Sequence, residues 1–472
     1  MSQFLQDDKQ AHEHVEFDGE EPGHGVPKHP VVADEEYIPD TPEERALVRK
    51  IDRHLLPMLW IMYVFNYIDR TNIGNAKVGG MQKDLHLSSS DYSLILSIFF
   101  VSYLLFEVPS NMILTRSKPA IFLPTIMFVW GAVSIGVKGI DSLGGMVAFR
   151  VALGMIEAGY FPGVMLLMSC WYKPAELSKR IALFYTASLV SGAFGGLLAG
   201  AIIEGMDEVA GVRGWKWLFI IEGLATCVVA AAAFFVLPNY PTTTRWLSDK
   251  EKTLAVNRLQ QQHETESHMS HRRAFIEAIK DPRTWTFMLA YNLLNSVGTI
   301  SYFFPTLMTA LGYKGRAAQF MTVPIYCVAL VIALAVGWSA DKTRKKAYHV
   351  IGGCTLGVVS FIICVTVQKP EVKYAFICFG GAGVWSALPV FLSWMVTMFD
   401  GREKRAICIA LINGVGNLAS IYGSFFWPAG DAPKYTKGFA ITTSLMGAAA
   451  LVMIFNKWRF GDKGFRGNTN DH

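Results

Sequence analysis

Residues 55–75, LLPMLWIMYVFNYIDRTNIGN, form an apolar run that carries an aspartate and an arginine side by side. A helix of about 20 predominantly apolar residues is long enough to cross the roughly 30 Å hydrocarbon core of a bilayer. The run therefore predicts a membrane-spanning helix, in which Asp69 and Arg70 lie about 21 Å along the axis from Leu55. An ionisable group at such a depth needs an internal partner, a cavity or a function, because it costs about 2.5–3.5 kcal/mol on insertion scales.

Apolar runs of similar length recur along the chain, six before residue 240 and six after a polar stretch. The pattern predicts an all-α, polytopic membrane protein with twelve transmembrane helices in two six-helix bundles, at 55–237 and 285–458. Paired bundles of this kind are typical of secondary transporters, whose halves rock about a site near the bilayer midplane. The predicted spans are 55–75, 92–114, 121–138, 146–170, 181–203, 215–237, 285–307, 318–338, 347–367, 374–398, 406–428 and 438–457.

The composition agrees with a membrane protein and argues against a nucleic-acid partner. The chain is 52% hydrophobic and only 17% charged, against about 25% charged residues in ordinary soluble domains. Its net charge of +5 comes from short Lys and Arg clusters that flank the apolar runs, as expected beside membrane spans. The seven cysteines show neither a C-x-x-C pair nor ligand spacing, so we expect small buried hydrophobes, with no metal and no cofactor.

The polar segments outside the spans predict a topology. Residues 1–54 are expected to form a disordered cytosolic tail without a signal peptide, and 459–472 a cytosolic C-terminal tail. Residues 238–284 read as a cytosolic linker with a surface helix at Trp246–Gln262. With the N-terminus inside, the cytosolic connections hold nearly twice as many basic residues as the opposite ones, where Lys77 falls. We expect a monomer in the plasma membrane with both termini in the cytosol.

Charged residues inside the spans are the main functional candidates. Asp69 and Arg70 are adjacent, so they point about 100° apart and must face different helices. In the fourth span Arg150 and Glu157 are two turns apart, about 10 Å along the axis, which is too far for direct contact. A substrate carboxylate could lie between Arg70 and Arg150, because guanidinium groups bind carboxylates bidentately. Asp69 or Glu157 could then gain and lose a proton during the cycle.

Two other readings of these spans stay open. The intramembrane charges could instead form structural pairs between helices that lock the bundle. Glu107 and Asn111 share one face of the second span, and Glu222 lies in the sixth, each with a possible substrate role. Tyr302 and Trp385 could line a cavity, although packing is the default for aromatic residues. Gly192, Gly196 and Gly200 recur every four residues and predict close packing against a neighbouring helix.

Several local patterns resemble, in the same order, those of the major facilitator superfamily. The resemblance is to its anion:cation symporters, specifically the fungal branch of allantoate, nicotinate and pantothenate permeases, over about residues 45–460. It implies that Arg70 and Arg150 bind the anion and that Asp69 and Glu157 couple protons. The patterns are NYIDRTN at 66–72, EVPSN at 107–111, 150–163 with its Glu157-Ala158-Gly159 core, 215–223, 246–251 and 413–428.

The resemblance also implies a cytosolic gate between the eighth and ninth spans. Gly337, Asp341, Arg344 and Lys345 resemble the superfamily's gate motif. Its counterpart after the second span departs from the pattern, because Asn111 stands where an aspartate often occurs. The gate of the first half is therefore less well defined by sequence than the gate of the second.

Rival functions lack their expected motifs. A proton-antiport exporter usually has a Gly-Pro pair in its fifth span, but 191–200 has no proline, and a sugar porter's Pro-Glu-Ser signature is missing after the sixth span. No H-E-x-x-H, G-x-S-x-G or phosphate-binding loop suggests an enzyme. An exporter and a non-transporting nutrient sensor remain alternatives. The sequence favours a transporter, not an enzyme, that carries a small organic carboxylate, such as a vitamin or ureide acid, with protons.

Overall fold

The computed structural model describes residues 38–115, 117–264, 271–399 and 402–461, and within these ranges it is helical with no strand. The first half contains α1 Pro42–Ala76, α2 Gln82–Asp84, α3 Ser89–Thr115, α4 Pro119–Ile135, α5 Leu143–Glu157, α6 Tyr160–Ser169, α7 Pro174–Gly205 and α8 Gly214–Val236. The linker contains α9 Asp249–Glu264 and α10 His271–Lys280. The second half contains α11 Pro282–Gly298, α12 Phe304–Ala310, α13 Gly315–Phe320, α14 Val323–Thr343, α15 Lys346–Thr366, α16 Pro370–Thr397, α17 Arg402–Asn417, α18 Ala419–Gly423 and α19 Thr436–Phe460.

Short irregular segments join or extend these helices. Lys77–Met81 at the end of α1 is a π-helix, and Thr299–Phe303 between α11 and α12 is a 3₁₀-helix. The remaining 3₁₀ turns are Gly136–Gly139, Val209–Gly211, Pro241–Thr243 and Ala429–Asp431. The predicted helix at Trp246–Gln262 corresponds to α9, which the structure begins at Asp249.

Nine helices of the described part of the chain are long and apolar enough to cross a membrane. The predicted spans that fall short of this are the first, seventh and eleventh. The first begins in a charged stretch and carries Asp69 and Arg70, the seventh is interrupted by Thr299–Phe303, and the eleventh is divided at Leu418. The all-α class of a polytopic membrane protein is confirmed, and twelve spans are consistent with it.

The two halves meet most closely at one end of the bundle. We call the end where α1 begins the near end and the opposite end, where α3 begins, the far end. At the far end α7 packs against α13 and α14, and α3 packs against α18. The predicted close packing of α7 is confirmed, because a Cβ atom on Gly192, Gly196 or Gly200 would lie only 2.3–2.4 Å from atoms of Tyr326, Thr322 or Phe320.

Hydrogen bonds between the halves fasten the far end. The Tyr92 hydroxyl donates to the Tyr302 carbonyl at 3.1 Å. Further bonds of this kind include Ser93 to the Ser424 carbonyl at 2.8 Å, Ser97 to the Ile421 carbonyl at 2.7 Å and Gln319 to the Asn75 carbonyl at 3.1 Å. The far end is therefore closed, and any space between the halves must lie deeper, toward the near end.

The linker docks on the near end of the first half. Arg258 of α9 has a fully buried side chain that pairs with Glu44 of α1 and Glu176 of α7. Next to this cluster Trp246 stacks on His54 with ring centroids 4.3 Å apart. These contacts tie α9 to two helices of the first half, so the linker is anchored to that half.

Replacing Arg258 by alanine is expected to lower the melting temperature of the purified protein. Breaking a buried ion pair from one side typically costs about 3–5 kcal/mol, and although Glu44 keeps its pair with Lys173, Glu176 loses its ion pair with Arg258. Lys252→Ala is the matched control on the same helix, since the ion pair of Lys252 among the described residues is with the exposed Asp249 and surface pairs are worth about 0–1 kcal/mol. Thermal unfolding in detergent measures both, and equal melting temperatures for the two variants would contradict the anchoring role.

Candidate functional site

A cavity of about 520 Å³ lies between the two halves. Its volume is within the roughly 300–1,000 Å³ of small-molecule sites. It extends from Tyr302, below the closed far end, to Gly337 and Asp341 of α14 toward the near end. Six tyrosines border it, namely Tyr63, Tyr67, Tyr103, Tyr185, Tyr291 and Tyr302. The wall is thus rich in tyrosine, and one of these hydroxyls, that of Tyr291, donates to Asn413 Oδ1 at 3.3 Å.

The cavity brings together some of the residues that sequence predicted for the site. Those that line it are Arg70, Tyr302, Trp385, Gly337 and Asp341. Those that the structure describes but does not bring to the lining are Arg150, Asp69, Glu157, Glu107 and Arg344. The side chain of Asn111 lies outside what the structure describes. Among the described lining residues Arg70 is the one cation, so it is the natural anchor for an anion in this cavity.

Arg70 is held at the cavity wall by a carboxylate and two aromatic rings. Its Nε donates to Glu157 Oε2 at 2.8 Å, and its guanidinium carbon lies 4.9 Å from the Tyr103 ring centroid and 5.6 Å from that of Phe99. The Arg70 side chain is 16% exposed, whereas that of Glu157 is 1% exposed. Nη2 of Arg70 has no hydrogen-bond partner among the described residues. This Nη2 is itself buried, so a further acceptor reaches it only when the surrounding side chains move.

Asp69 faces away from Arg70, as the adjacency of the two residues predicts. Its Oδ2 accepts hydrogen bonds from Trp130 Nε1 of α4 at 3.0 Å and from Thr226 Oγ1 of α8 at 3.1 Å. Arg70 contacts α5 instead, through Glu157. The prediction that the two charges face different helices is confirmed. Asp69 is thus separated from the cavity and belongs to a polar cluster inside the first half.

Arg150 does not open onto the same chamber as Arg70 in this structure. It is 1% exposed, its Nε donates to the Ile95 carbonyl at 3.3 Å, and its guanidinium lies 4.4 Å from the Phe99 ring centroid. Phe99 contacts both arginines. Glu157 is close enough to interact electrostatically with both Arg70 and Arg150. A protein carboxylate, rather than open space for a substrate, is therefore shared by the two arginines. The substrate-binding role of Arg150 stays a prediction.

Sequence reasoning left out some polar groups of this cluster. Asn66 donates from Nδ2 to Glu157 Oε2 at 2.9 Å, and its position one turn before Arg70 on α1 was the available signal. The sequence gives Glu222 a substrate role as one alternative. It is 1% exposed, and neither of its carboxyl oxygens has a hydrogen-bond partner in the part of the chain that the structure describes. Glu222 precedes Thr226 by one helical turn, so it adjoins the Asp69 site.

Comparison with known proteins identifies similar sequences over nearly the whole chain. A sequence model of the family described as Major Facilitator Superfamily matches residues 59–424. The protein named MFS transporter prlL, from Fungal sp. (strain NRRL 50135), is 34% identical over 446 residues, which cover 92% of this chain and 90% of the relative. The Major facilitator-type transporter hxnP of Emericella nidulans is 28% identical over 445 residues, covering 92% and 89%.

A solved structure shares the arrangement of helices. It is the crystal structure of a bacterial homolog to the human lysosomal transporter Spinster, in an inward-facing and unoccupied conformation. The TM-score is 0.69 at 16% identity, and the match covers 91% of this chain and 100% of that chain. At this identity the likeness shows the fold alone.

Proposed function

Because this chain belongs to the major facilitator superfamily, we propose that it is a proton-coupled symporter of a small organic anion. It is a multi-pass membrane protein, and its named relatives are transporters. The proposal assigns it to the anion:cation symporters and gives it a carboxylate substrate, such as a vitamin or ureide acid, with no cofactor. The assigned substrate, coupling and direction rest on the cavity and on Arg70.

The observation that carries the proposal is the position of Arg70. It is a partly exposed cation at the wall of a ligand-sized cavity, bound to one carboxylate, and its buried Nη2 has no hydrogen-bond partner among the described residues. A planar guanidinium binds carboxylates through two parallel hydrogen bonds, and such bonds are strong in a site of low dielectric constant. A substrate carboxylate that enters the cavity therefore has one preferred partner, while the tyrosine-rich wall suits the rest of an organic molecule.

Competition for Arg70 supplies a mechanism for proton coupling. In this structure Glu157 occupies Nε of Arg70. If Glu157 binds a proton, it loses its charge and its hold on Arg70 weakens, which frees the guanidinium for the substrate. The substrate carboxylate then replaces the negative charge of Glu157, so the net charge of the site is unchanged. Proton and anion binding favour each other, because the coupling between two sites is reciprocal.

Arg150 and Asp69 have supporting roles in this proposal. Arg150 stabilises the anion through space, from behind Phe99, or moves to contact it in another conformation of the cycle. Asp69 and the neighbouring Glu222 form a second site of buried carboxyl groups, and this site binds a proton. A buried carboxylate without a cation is costly.

The closed far end and the deep cavity fit one stage of an alternating-access cycle. In the proposal the near end is cytosolic, because the basic residues concentrate in its connections, and both termini are then cytosolic, in a plasma-membrane protein. Gly337 and Asp341 line the near part of the cavity, and Arg344 ends α14 in a left-handed conformation with φ of 57°. We assign these three residues to the near-end gate, which closes as the far end opens. Glu107 and Asn111 lie in the last turns of α3, toward the near end and thus toward this gate.

Gly196→Val is expected to slow transport about tenfold. A Cβ atom at Gly196 would lie 2.4 Å from Thr322 Oγ1, and overpacking of this kind costs about 1–3 kcal/mol. The strain exists only while the far end is closed, so the substitution disfavours that state. Uptake into proteoliposomes measures the effect. Gly352→Val is the control, since nothing lies within 4 Å of a Cβ atom there; an equal loss in both variants would point to general instability.

The direct test of the proposal is uptake of labelled carboxylates by purified protein in proteoliposomes, with and without an inward proton gradient. We would use nicotinate, pantothenate and allantoate, with glucose as a neutral control. Accumulation of a carboxylate that grows with the gradient supports symport. Uptake that ignores the gradient removes the proton-coupling claim. Carboxylate efflux driven by an inward proton gradient indicates an exporter, and saturable binding without flux indicates a sensor.

A further inference from the structure

Lys77 is a buried cation at the closed far end. The sequence assigns it to a connection between spans, but the structure buries it to 7% exposure in the π-helical turn that follows α1. Its Nζ lies 4.1 Å from the Tyr92 ring centroid and 5.5 Å from the Phe303 ring centroid. No carboxylate contacts it among the residues that the structure describes. A π-helical turn within a helix often marks a functional position.

The two rings that cover Lys77 come from different halves of the protein. Tyr92 lies in α3, and Phe303 ends the 3₁₀ segment between α11 and α12. The Tyr92 hydroxyl is also bound to the carbonyl of Tyr302, the residue before Phe303. When the halves separate at the far end, Phe303 must leave Lys77. Lys77 is then left with one ring and with access to water, as a cation without a bound anion.

Lys77 also continues the path that leads to Arg70. The two residues are seven positions apart, which is two turns on nearly the same helix face and about 10 Å along the axis. Tyr302 lines the cavity while the next residue, Phe303, covers Lys77. A single segment of chain therefore separates Lys77 from the cavity. Aromatic rings of α3 accompany both cations, with Tyr92 beside Lys77 and Phe99 beside Arg70. The cations and rings thus form one continuous strip.

We propose that Lys77 is a substrate-binding residue, which captures the carboxylate in the conformation whose far end is open and passes it to Arg70. The inference rests on the proposed function and adds a second binding position to it. An ammonium group suits this role because it is a compact, well-hydrated charge on a flexible stem. In the closed state the aromatic rings replace the anion as its partners, so Lys77 releases the substrate as the far end closes.

A purely structural role for Lys77 predicts the opposite result. If the lysine only holds the two rings together, its removal loosens the closed far end and favours the open state. The apparent affinity for external substrate then stays the same or improves. If Lys77 captures the carboxylate, its removal weakens external binding. The sign of the change in external half-saturation concentration therefore separates the two roles.

The experiment compares Lys77→Gln, Lys77→Arg and wild type in uptake of whichever of nicotinate, pantothenate or allantoate the wild type carries best. We expect Lys77→Gln to raise the external half-saturation concentration about tenfold, equivalent to about 1.4 kcal/mol of binding. Lys77→Arg should stay close to wild type, because it keeps the charge. Lys83→Gln is the control, since Lys83 is exposed at the same end. An unchanged or lower value in Lys77→Gln overturns the inference.

A second measurement covers the case in which Lys77→Gln fails to fold. Lys77→Cys is treated with a membrane-impermeant thiol reagent from outside intact cells, and wild type reports the reaction of the native cysteines. We expect slow labelling at position 77 that the carried carboxylate slows further. Labelling that this carboxylate leaves unchanged overturns the inference. Absence of carboxylate uptake by the wild type would instead defeat the proposed function, and the inference with it.

Discussion

Arg70→Ala is expected to lower carboxylate uptake by at least about thirtyfold, because truncating one member of a buried, hydrogen-bonded charge pair costs about 2–5 kcal/mol. Arg70 is the one cation among the described residues that line the cavity, and it holds Glu157 at 2.8 Å. Its loss removes the partner of the substrate and leaves Glu157 to repel it. Initial rates of uptake in proteoliposomes, divided by the amount of reconstituted protein, measure the effect.

The controls for Arg70 address the structural alternative. Arg49→Ala removes an exposed arginine of the same helix, whose Nε donates to the Arg45 carbonyl, and should transport normally. Arg70→Lys keeps the charge but loses the planar fork, so we expect an intermediate rate. The double variant Arg70→Ala, Glu157→Gln removes the unpaired carboxylate. If that variant regains wild-type uptake, the pair only locks the helices together and Arg70 does not bind the substrate.

The length and spacing of apolar runs predicted the helices well but not their interruptions. Hydropathy reports which residues avoid water, and it is the same for a continuous helix and for one with a 3₁₀ turn inside the membrane. The seventh span is such a case. Thr299–Phe303 is buried, and only its polar residues Thr299 and Ser301 suggest a break in the sequence. That segment lines the far part of the cavity through Thr299, Ser301 and Tyr302, so the interruption shapes the cavity.

The candidate site was predictable where geometry within one helix decides it. The divergence of Asp69 and Arg70 follows from the 100° step between neighbours, and it was confirmed. The separation of Arg150 from the cavity depends on how α5 is rotated against α3, where Phe99 intervenes. Spacing along one helix carries no information about that rotation. Lys77 was missed for a related reason, since a lysine at the end of an apolar run is expected to reach water.

Glu157→Gln is expected to abolish accumulation driven by protons while preserving exchange of the carboxylate. Glutamine resembles the protonated glutamate, so Arg70 stays available to the substrate whatever the pH. A gradient of one pH unit is worth about 1.4 kcal/mol per proton, enough for about tenfold accumulation of a singly charged anion carried with one proton. The wild type should approach this ratio, and the variant should reach no accumulation. Exchange of external label against internal carboxylate at equal pH should remain.

The identity of the coupling carboxyl group follows from matched substitutions. Glu371→Gln, which neutralises an exposed acid at the start of α16, should accumulate substrate as the wild type does. Asp69→Asn keeps a hydrogen-bond acceptor for Trp130 and Thr226 but removes the second buried acid. If Asp69→Asn alone loses the gradient dependence while Glu157→Gln retains it, the proton binds at Asp69. The competition between Glu157 and the substrate for Arg70 is then not the coupling step, because only a group that binds the proton can make its release depend on the anion.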